Sequence, residues 1–370
     1  MSSISGEKLK ISVFGQSHSE AIGVVMDGLP AGESINIPEL RRFMARRAPG
    51  RSIYSTQRKE ADEFEILSGL LSSEEEGSMM VSCGAPVCAV IRNKDQRSGD
   101  YEELKRVLRP GHADLTAEIR YKGFQDVRGG GHFSGRLTAP LCFAGGAAKQ
   151  LLEKRGIYIG AHIESIGGIS EKRYDPLGLT REELLSASGR DFPVNDRETG
   201  ERMKALIEEA RMDCDSVGGV IECAVLGLPA GLGDPMFDGL ENRLAKAIFG
   251  IPAVKGLEFG EGFGAASMRG SEHNDPYRMR EDGSIGFESN HAGGILGGIS
   301  TGMPVVFRLA VKPTPSIGKT QDSVDIKDRI NRELSVKGRH DPCIVPRAVP
   351  VAEAVTALVI YDMLLCDGGL

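Results

Sequence analysis

The sequence predicts an α+β protein built mainly on antiparallel sheets, because its patterns disfavour a doubly wound parallel fold. Segments rich in β-branched residues do not alternate regularly with helical segments, as a parallel sheet requires. No strand–Gly-x-Gly-x-x-Gly–helix unit occurs in its proper place; residues 129–134 and 260–265 are imperfect matches without an acidic residue about 20 positions later. Two pairs of apolar segments are near enough along the chain to form hairpins: 10–14 with 21–27, and 79–84 with 87–91.

The individual elements follow from local patterns. Strands are predicted where apolar, β-branched runs are bounded by Gly or Pro: 10–14, 21–27, 79–91, 157–166, 220–228, 255–259 and 304–311. Thr180 with Glu183 forms a capping box, Pro38 suits a first helical turn, and the segment 137–154 is apolar on most sides, which predicts a buried helix. The predicted helices are 38–47, 101–108, 137–154, 181–186, 198–213, 237–249, 323–334 and 351–365.

Composition indicates an ordinary globular protein of the cytoplasm. Hydrophobic residues make up 40% of the 370 positions, and no Ser/Pro-rich linker divides them. No apolar run is expected to span a bilayer, and the polar first ten residues do not resemble a secretory signal. The seven cysteines are irregularly spaced without a Cys-x-x-Cys pair, so we expect them to be reduced and to act as small buried hydrophobic residues.

Charge is acidic overall but locally basic. The net charge of −7 disfavours nucleic acid as a partner. Seven basic residues nevertheless fall between positions 41 and 59, which favours a small anionic ligand over a polymer. Arg41 and Arg42 alone are better explained as a solvated helix face. The basic residues are Arg41, Arg42, Arg46, Arg47, Arg51, Arg58 and Lys59.

Histidine is the most informative residue type, because only seven occur. Six of them lie in segments rich in Gly, Ser, Asp, Asn or Arg, and loops held on a rigid scaffold are where sites are built. We expect some of the six to be structural. They are His18, His112, His132, His273, His291 and His340.

Two kinds of chemistry are weakly supported. His18 with Glu20, or His112 with Asp114, lacks the spacing of a zinc site, although magnesium on a ligand phosphate stays open. Ser17 stands next to His18, but no Gly-x-Ser-x-Gly elbow accompanies it.

Phosphate binding fits better. Residues 128–131 read Arg-Gly-Gly-Gly and are followed by Arg136, so exposed amides and guanidinium groups can bind one oxyanion together. Residues 312–316 add an ammonium and two hydroxyls directly after a predicted strand, and residues 339–341 add a charge pair. Each signal alone is also typical of a surface turn, so their joint presence carries the prediction.

Eight short motifs rich in Gly, His, Arg and Asp are distributed along the chain. They are residues 15–18, 109–114, 126–131, 289–294, 297–300, 312–314, 338–343 and 347–350. Taken together, these motifs resemble those of the chorismate synthase family: they occur in the family's order across nearly the whole chain, and the longer ones are very specific. The resemblance therefore implies a single domain over residues 1–370.

The resemblance also implies a fold and a reaction. The fold is a β-α-β sandwich, a helical layer between antiparallel sheets, in a homotetramer. The reaction is a 1,4-anti elimination of phosphate from 5-enolpyruvylshikimate 3-phosphate that yields chorismate, the last common step of the shikimate pathway towards aromatic amino acids. Reduced FMN is required without net redox change; whether NADPH serves as reductant stays open, and no metal, nucleic acid or membrane is implied.

Roles are implied residue by residue. His18 resembles the histidine that protonates reduced flavin, with Ser17 as its relay neighbour, and His112 the acid that protonates departing phosphate. Asp341 resembles the residue that works with flavin N5 in removing the C6 proton, and Ser134 a serine of the flavin segment. The implied cofactor-binding residues are Arg47, His132, Phe133, Ser134, Ala253, Gly297, Lys312, Pro313, Thr314, Pro315, Ser316 and Arg339. The implied substrate-binding residues are Arg47, Arg51, Arg128, Arg136 and Arg339.

The chain departs from the family pattern at several positions while it keeps His18, His112 and Asp341. The departures are Gln16, Ser19, His132, Phe133, Ile53 and Pro315. A second hypothesis is a non-catalytic protein that binds a nucleotide or phosphometabolite on the same scaffold. The three retained residues favour the enzyme.

Overall fold

The fold is known from a computed structural model that describes residues 3–50, 61–73, 78–93, 103–336 and 341–369. In that part of the chain the strands β1–β19 are Ile4–Ser5, Lys10–Gly15, Ala21–Asp27, Ser34–Asn36, Phe64–Ser68, Leu70–Ser72, Met79–Ser82, Val87–Arg92, Tyr158–Ile166, Ile169–Ser170, Gly219–Leu226, Val254–Phe259, Tyr277–Met279, Ile285–Phe287, Ile295–Leu296, Ile299–Ser300, Val305–Val311, Gln321–Asp325 and Ile330–Leu334. The helices α1–α8 are Ile37–Arg47, Asp114–Tyr121, Thr138–Glu153, Arg181–Ser188, Arg197–Met212, Leu240–Ile248, Gly270–His273 and Val345–Asp367.

Two five-stranded antiparallel sheets enclose a helical layer in the described residues. The first sheet has the order β1-β2-β3-β8-β5 and the second β10-β9-β11-β17-β12. Helix α3 packs against β3 and β8 of the first sheet, and α8 against β9 and β11 of the second. The predicted β-α-β sandwich with antiparallel sheets is therefore confirmed.

Close packing of α3 against α8 depends on small residues. A β-carbon on Gly145 of α3 would lie 2.3 Å from the carbonyl oxygen of Ala354 in α8, nearer than any real contact. Phe143 and Leu151 of α3 are almost fully buried, as the apolar pattern of this segment predicts. Because the two helices pack this closely, side chains from both helices and both sheets form one continuous hydrophobic core.

Helix α8 is long and apolar enough to cross a membrane, so the expectation that no such run exists was wrong by length and composition. However, 83% of its apolar window is buried inside the protein. Residues such as Tyr361 and Ile360 pack between the sheets, which is how a core helix passes the same test.

The hairpin prediction holds for one pair and fails for the other. Strands β2 and β3 pair antiparallel, with Phe14 opposite Gly23. Strands β7 and β8 do not pair, because β7 joins β4 and β6 in a separate three-stranded sheet while β8 joins β3 and β5. Proximity along the chain could not show that the connection crosses between sheets.

The predicted helix over 323–334 was wrong, because these residues form the β18–β19 hairpin. The Asp325 carboxylate accepts the backbone N–H groups of Lys327 (3.0 Å) and Asp328 (3.1 Å), which closes the turn. The predicted helix over 101–108 was also wrong where the chain is described, since only Glu103–Lys105 forms a short 3₁₀ turn. Strands β5 and β6 and helix α2 were not predicted.

The cysteine expectation holds for three residues and was wrong for three others. The buried thiols are Cys142, Cys223 and Cys343, and Cys88 is half-buried. The exposed thiols are Cys83, Cys214 and Cys366. Apolar neighbours along the sequence do not decide the side of a sheet or turn on which a residue lies.

Candidate active site

The turn at residues 128–131 brings two predicted catalytic histidines together. A β-carbon on Gly129 would lie 2.5 Å from Nδ1 of His18, and one on Gly130 would lie 3.0 Å from Nε2 of His112. Both glycines have left-handed backbones, with φ of 57° and 82°. Only glycine adopts these φ values without strain. Because neither glycine has a side chain, the imidazoles of His18 and His112 approach consecutive residues of one turn closely.

Ser17 lies against the same turn and is 1% exposed. Its backbone N–H donates to the Gly131 carbonyl at 3.0 Å, and its Oγ would be 2.6 Å from a β-carbon on Gly129. Within the described residues this buried Oγ has no hydrogen-bond partner. A buried hydroxyl in that state is a group that a ligand can satisfy.

Two departures from the family pattern help to hold the 15–19 turn. Ser19 Oγ accepts the Gln16 N–H at 2.9 Å and lies 2.7 Å from the Ala21 carbonyl. The Nδ1 atom of His132 is 2.8 Å from the Gly15 carbonyl, which can only accept, so this nitrogen carries the proton. His132 Nε2 can then accept from the Ser3 hydroxyl at 2.7 Å. The imidazole of His132 therefore fastens this turn to the N-terminal segment.

His112 belongs to a tightly bonded cluster at the start of α2. Its Nδ1 lies 2.7 Å from Asp114 Oδ1. Arg109 donates from Nε to Oδ2 and from Nη2 to Oδ1, both at 2.8 Å. Burial would raise the pKa of Asp114, but hydrogen bonds from His112 and Arg109 outweigh it and hold that pKa well below its usual value.

The loop at 312–316 packs against this cluster. Lys312 Nζ donates to the Gly111 carbonyl, and the Lys312 N–H donates to the Ala253 carbonyl at 3.0 Å. Arg109 Nη1 lies 3.5 Å from Ser316 Oγ. Burial, with a further contribution from nearby Lys255, lowers the pKa of Lys312. The loop therefore contacts Gly111 and Arg109, which belong to the same segment as His112, and Ala253 contacts the loop.

Within that loop, the remaining predicted residues differ in their surroundings. Thr314 Oγ1 is buried and has no hydrogen-bond partner among the described residues, while its carbonyl accepts from Ser216 Oγ at 2.7 Å. Pro315 lies close to Gly111, at 3.4 Å from a β-carbon placed there. Pro313 is exposed. The loop thus offers one buried hydroxyl without a partner among the described residues, two positions after Lys312.

Arg47 and Arg136 share one buried carboxylate. Arg47 Nε and Nη2 donate to Asp62 at 2.8 and 2.5 Å, and Arg136 Nη1 donates to its other oxygen. Arg136 also donates to Asn93 at 3.0 Å, and its N–H donates to Ser134 Oγ at 3.2 Å. Burial raises the pKa of Asp62, but the two guanidinium charges outweigh it and lower that pKa.

Asp341 is connected to this pair through another arginine. Arg347 donates from Nη1 to Asp341 and from Nε to the Arg47 carbonyl at 3.0 Å. At the opposite end, Asn93 donates to the Ser19 carbonyl at 2.7 Å. A continuous polar network therefore runs from Asp341 to the turn that carries His18.

Other predicted residues lie at the margin. Arg128 is half-exposed and pairs with Asp126 at 2.9 Å through two nitrogens. Phe133 is 38% exposed, with its ring 6.0 Å from that of Tyr121. Gly297 lies in the turn between β15 and β16. In this turn the Gly298 carbonyl accepts the N–H of Leu240, the first residue of α6, at 2.8 Å. Arg51, Arg339 and Ile53 lie outside the described residues.

Sequence reasoning did not assign the residues that hold the predicted ones. Asp114 and Arg109 stand in the same motif as His112, so their spacing could have indicated the cluster. Arg347 begins the 347–350 motif and follows Asp341 by six positions, so it too was within reach of sequence reasoning. Asp62 and Asn93 carry no such signal, because their partners are distant along the chain.

Comparison with known proteins gives a consistent result. The family model "Chorismate synthase" matches residues 9–365. A chorismate synthase of Methanosarcina acetivorans is 49% identical over 367 residues, covering 99% of this chain and 96% of that protein. One of Dehalococcoides mccartyi is 46% identical over 368 residues, covering 100% and 98%. A solved structure titled "Crystal Structure of Chorismate Synthase" superposes with a TM-score of 0.75 at 30% identity, covering 98% of this chain and 93% of that one.

Proposed function

This chain belongs to the chorismate synthase family, lyases of aromatic amino acid biosynthesis, and we propose that it releases phosphate from 5-enolpyruvylshikimate 3-phosphate beside the 128–131 turn. One geometric arrangement supports placing the reaction at the 128–131 turn. Two consecutive left-handed glycines contact His18 and His112, and the network from Asp341 ends in the same region.

The family requires a reduced flavin, and the residues present suit one. Lys312 and Ser316 provide a cation and a hydroxyl next to the His112 cluster, and Thr314 Oγ1 is a buried hydroxyl that lacks a partner in the described chain. We propose that FMN is held here, with further contacts from residues 132–134, Ala253, Gly297 and Arg339. When bound, reduced flavin supplies the transient electron and the base that side chains cannot.

The chain's own groups bind charge and move protons. The substrate loses phosphate and the C6 hydrogen, so charge accumulates on the departing phosphate oxygens. Arg47 and Arg136 carry two positive charges against the single negative charge of Asp62, which leaves one net positive charge. Arg51, Arg128 and Arg339 are proposed as further anion contacts.

Three residues are proposed to act on protons. His112 donates to the leaving phosphate, because an imidazole exchanges protons near neutral pH. His18, with Ser17 beside it, protonates the cofactor, and Asp341 assists removal of the C6 proton. Burial of His18 and Ser17, at 4% and 1% exposure, keeps water from competing at these atoms.

Several further properties belong to the same proposal. We expect one domain over residues 1–370, a homotetramer, and a cytoplasmic location without a nucleic-acid or membrane partner. Net charge of −7 supports the absence of nucleic acid binding. NADPH remains a proposed reductant for the flavin.

The decisive experiment is an anaerobic assay with 5-enolpyruvylshikimate 3-phosphate and FMN. Dithionite-reduced FMN should support chorismate formation, and a second assay with NADPH in place of dithionite tests the reductant. His112→Ala should lose most activity, about 10²- to 10⁴-fold for a general acid, while its circular dichroism stays unchanged.

Two outcomes contradict the proposal. If calorimetry detects binding of FMN or substrate but no chorismate forms, the chain is a binding protein on this scaffold. Full activity of His112→Ala would remove His112 from the mechanism.

A further inference from the structure

The proton positions on His112 follow from the chemistry of its neighbours. An ionised carboxylate can only accept, so the 2.7 Å contact with Asp114 requires a proton on Nδ1. Arg109 Nη2 also lies within hydrogen-bonding distance of this nitrogen, at 3.1 Å, in addition to its 2.8 Å bond to Asp114 Oδ1. Guanidinium only donates, so this contact and the one with Asp114 compete for Nδ1, and the charged carboxylate at 2.7 Å is the closer partner. The shorter contact decides the tautomer.

Asp114 is itself held in one orientation. It accepts the Arg109 backbone N–H at 3.0 Å in addition to the two side-chain bonds. It is 8% exposed, so water does not compete for its oxygens. A carboxylate fixed by a bidentate arginine and a backbone amide cannot rotate away from His112.

The opposite ring nitrogen faces the proposed site. Nε2 of His112 lies against Gly130, at 3.0 Å from where a β-carbon would stand. Because Nδ1 is occupied by Asp114, Nε2 is the ring atom left to exchange a proton with a ligand.

We propose that Asp114, anchored by Arg109, is a positioning residue that keeps Nδ1 of His112 protonated and directs Nε2 at the 128–131 turn. Asp114 also balances the charge of the doubly protonated ring, the form that can donate from Nε2. Among the described residues, Asp114 and Arg109 are the charged groups that contact His112, and Lys312 lies next to them through its bond to the Gly111 carbonyl. The kinetic part of this inference rests on the proposed function.

The kinetic test compares wild type with Asp114→Asn, which keeps the shape and removes the charge. We expect kcat to fall about 10- to 100-fold, part of what a general acid contributes, while KM and FMN binding change little. The alkaline limb of the kcat–pH profile should move to lower pH. Asp282→Asn, an equal charge change in the exposed turn before β14, should behave as wild type.

A second measurement does not depend on activity. The ¹⁵N spectrum of histidine-labelled protein at alkaline pH, with His112 assigned by its loss in His112→Asn, should show a protonated Nδ1 and a bare Nε2. In Asp114→Asn the two tautomers should mix. A wild-type His112 protonated on Nε2 instead, or an Asp114→Asn enzyme with unchanged kcat and pH profile, would overturn the inference. Absence of chorismate from wild type would refute only the proposed function, and the spectrum would still decide the tautomer.

Discussion

Raising the pH from 6.5 to 9.5 should destabilise the folded protein through one buried histidine, His162 of β9. This residue is fully buried, with Nε2 at 2.7 Å from Glu222 and Nδ1 bonded to Glu171. Glu171 also accepts the Asn195 and Asp196 N–H groups at 2.9 Å, which fastens the segment before α5 to the sheet.

The magnitude follows from the pKa of His162. Burial lowers this pKa, but hydrogen bonds to the two glutamates outweigh burial and raise it to about 9. From an unfolded pKa of about 6.5, the difference corresponds to about 3 kcal/mol at about 1.4 kcal/mol per unit. Because the folded pKa is the higher one, this stability is fully present below pH 6.5 and is lost as the pH rises through about 9.

The assay is urea unfolding followed by circular dichroism at several pH values between 6 and 10. Burial raises the pKa of Cys142 and Cys343, so these thiols also make unfolding depend on pH. The comparison is therefore with the double variant His162→Gln/Glu222→Gln, which removes one charge pair and keeps hydrogen-bonding groups. The free energy of unfolding of wild type should fall about 3 kcal/mol more than that of the variant. An equal fall in both proteins would refute the reasoning.

Two further predictions concern the turn and the cysteines. Gly130→Ala should lower kcat, because a methyl group 3.0 Å from the His112 ring, on a backbone with φ of 82°, would displace the imidazole by a few tenths of an ångström. Gly283→Ala, at φ 80° in open space, is the matched control, and equal activity of the two variants would contradict the steric argument. Alkylation of the folded protein, followed by mass spectrometry, should label the exposed thiols well before the buried ones. Burial excludes the reagent and raises the pKa of Cys142 and of Cys343 to about 12, so little thiolate is present there. Early labelling of a buried thiol in folded protein would contradict the packing described above. The exposed thiols are Cys83, Cys214 and Cys366, and the buried ones are Cys142, Cys223 and Cys343.

Local patterns predicted those elements whose cause is local. The segment 137–154 is apolar on most sides, and it forms the buried helix α3. The Thr180–Glu183 capping box is present at the start of α4, with the Glu183 N–H donating to Thr180 Oγ1 at 3.2 Å. In contrast, residues 323–334 lack a strong apolar period, so a hairpin closed by Asp325 was mistaken for a helix.

In the candidate site, too, features with a local cause were predictable from the sequence, and contacts between distant residues were not. The motif around His112 and the glycines at 128–131 were recognisable in the sequence, because each is a short unit whose residue types imply anion binding. The contacts of Asp62 with Arg47 and Arg136 were not, since they join residues 15 and 74 positions apart. Nothing in a single sequence specifies which distant charges meet.

The sequence by itself determined the fold class, the family and the proposed catalytic residues, because motif order and residue chemistry are written along the chain. Only the tertiary structure decided that Gly129 contacts His18 while Gly130 contacts His112, and that Asp114 lies 2.7 Å from Nδ1 of His112. Those facts depend on ångström distances between segments brought together by the sandwich, and such distances arise from packing of the whole core.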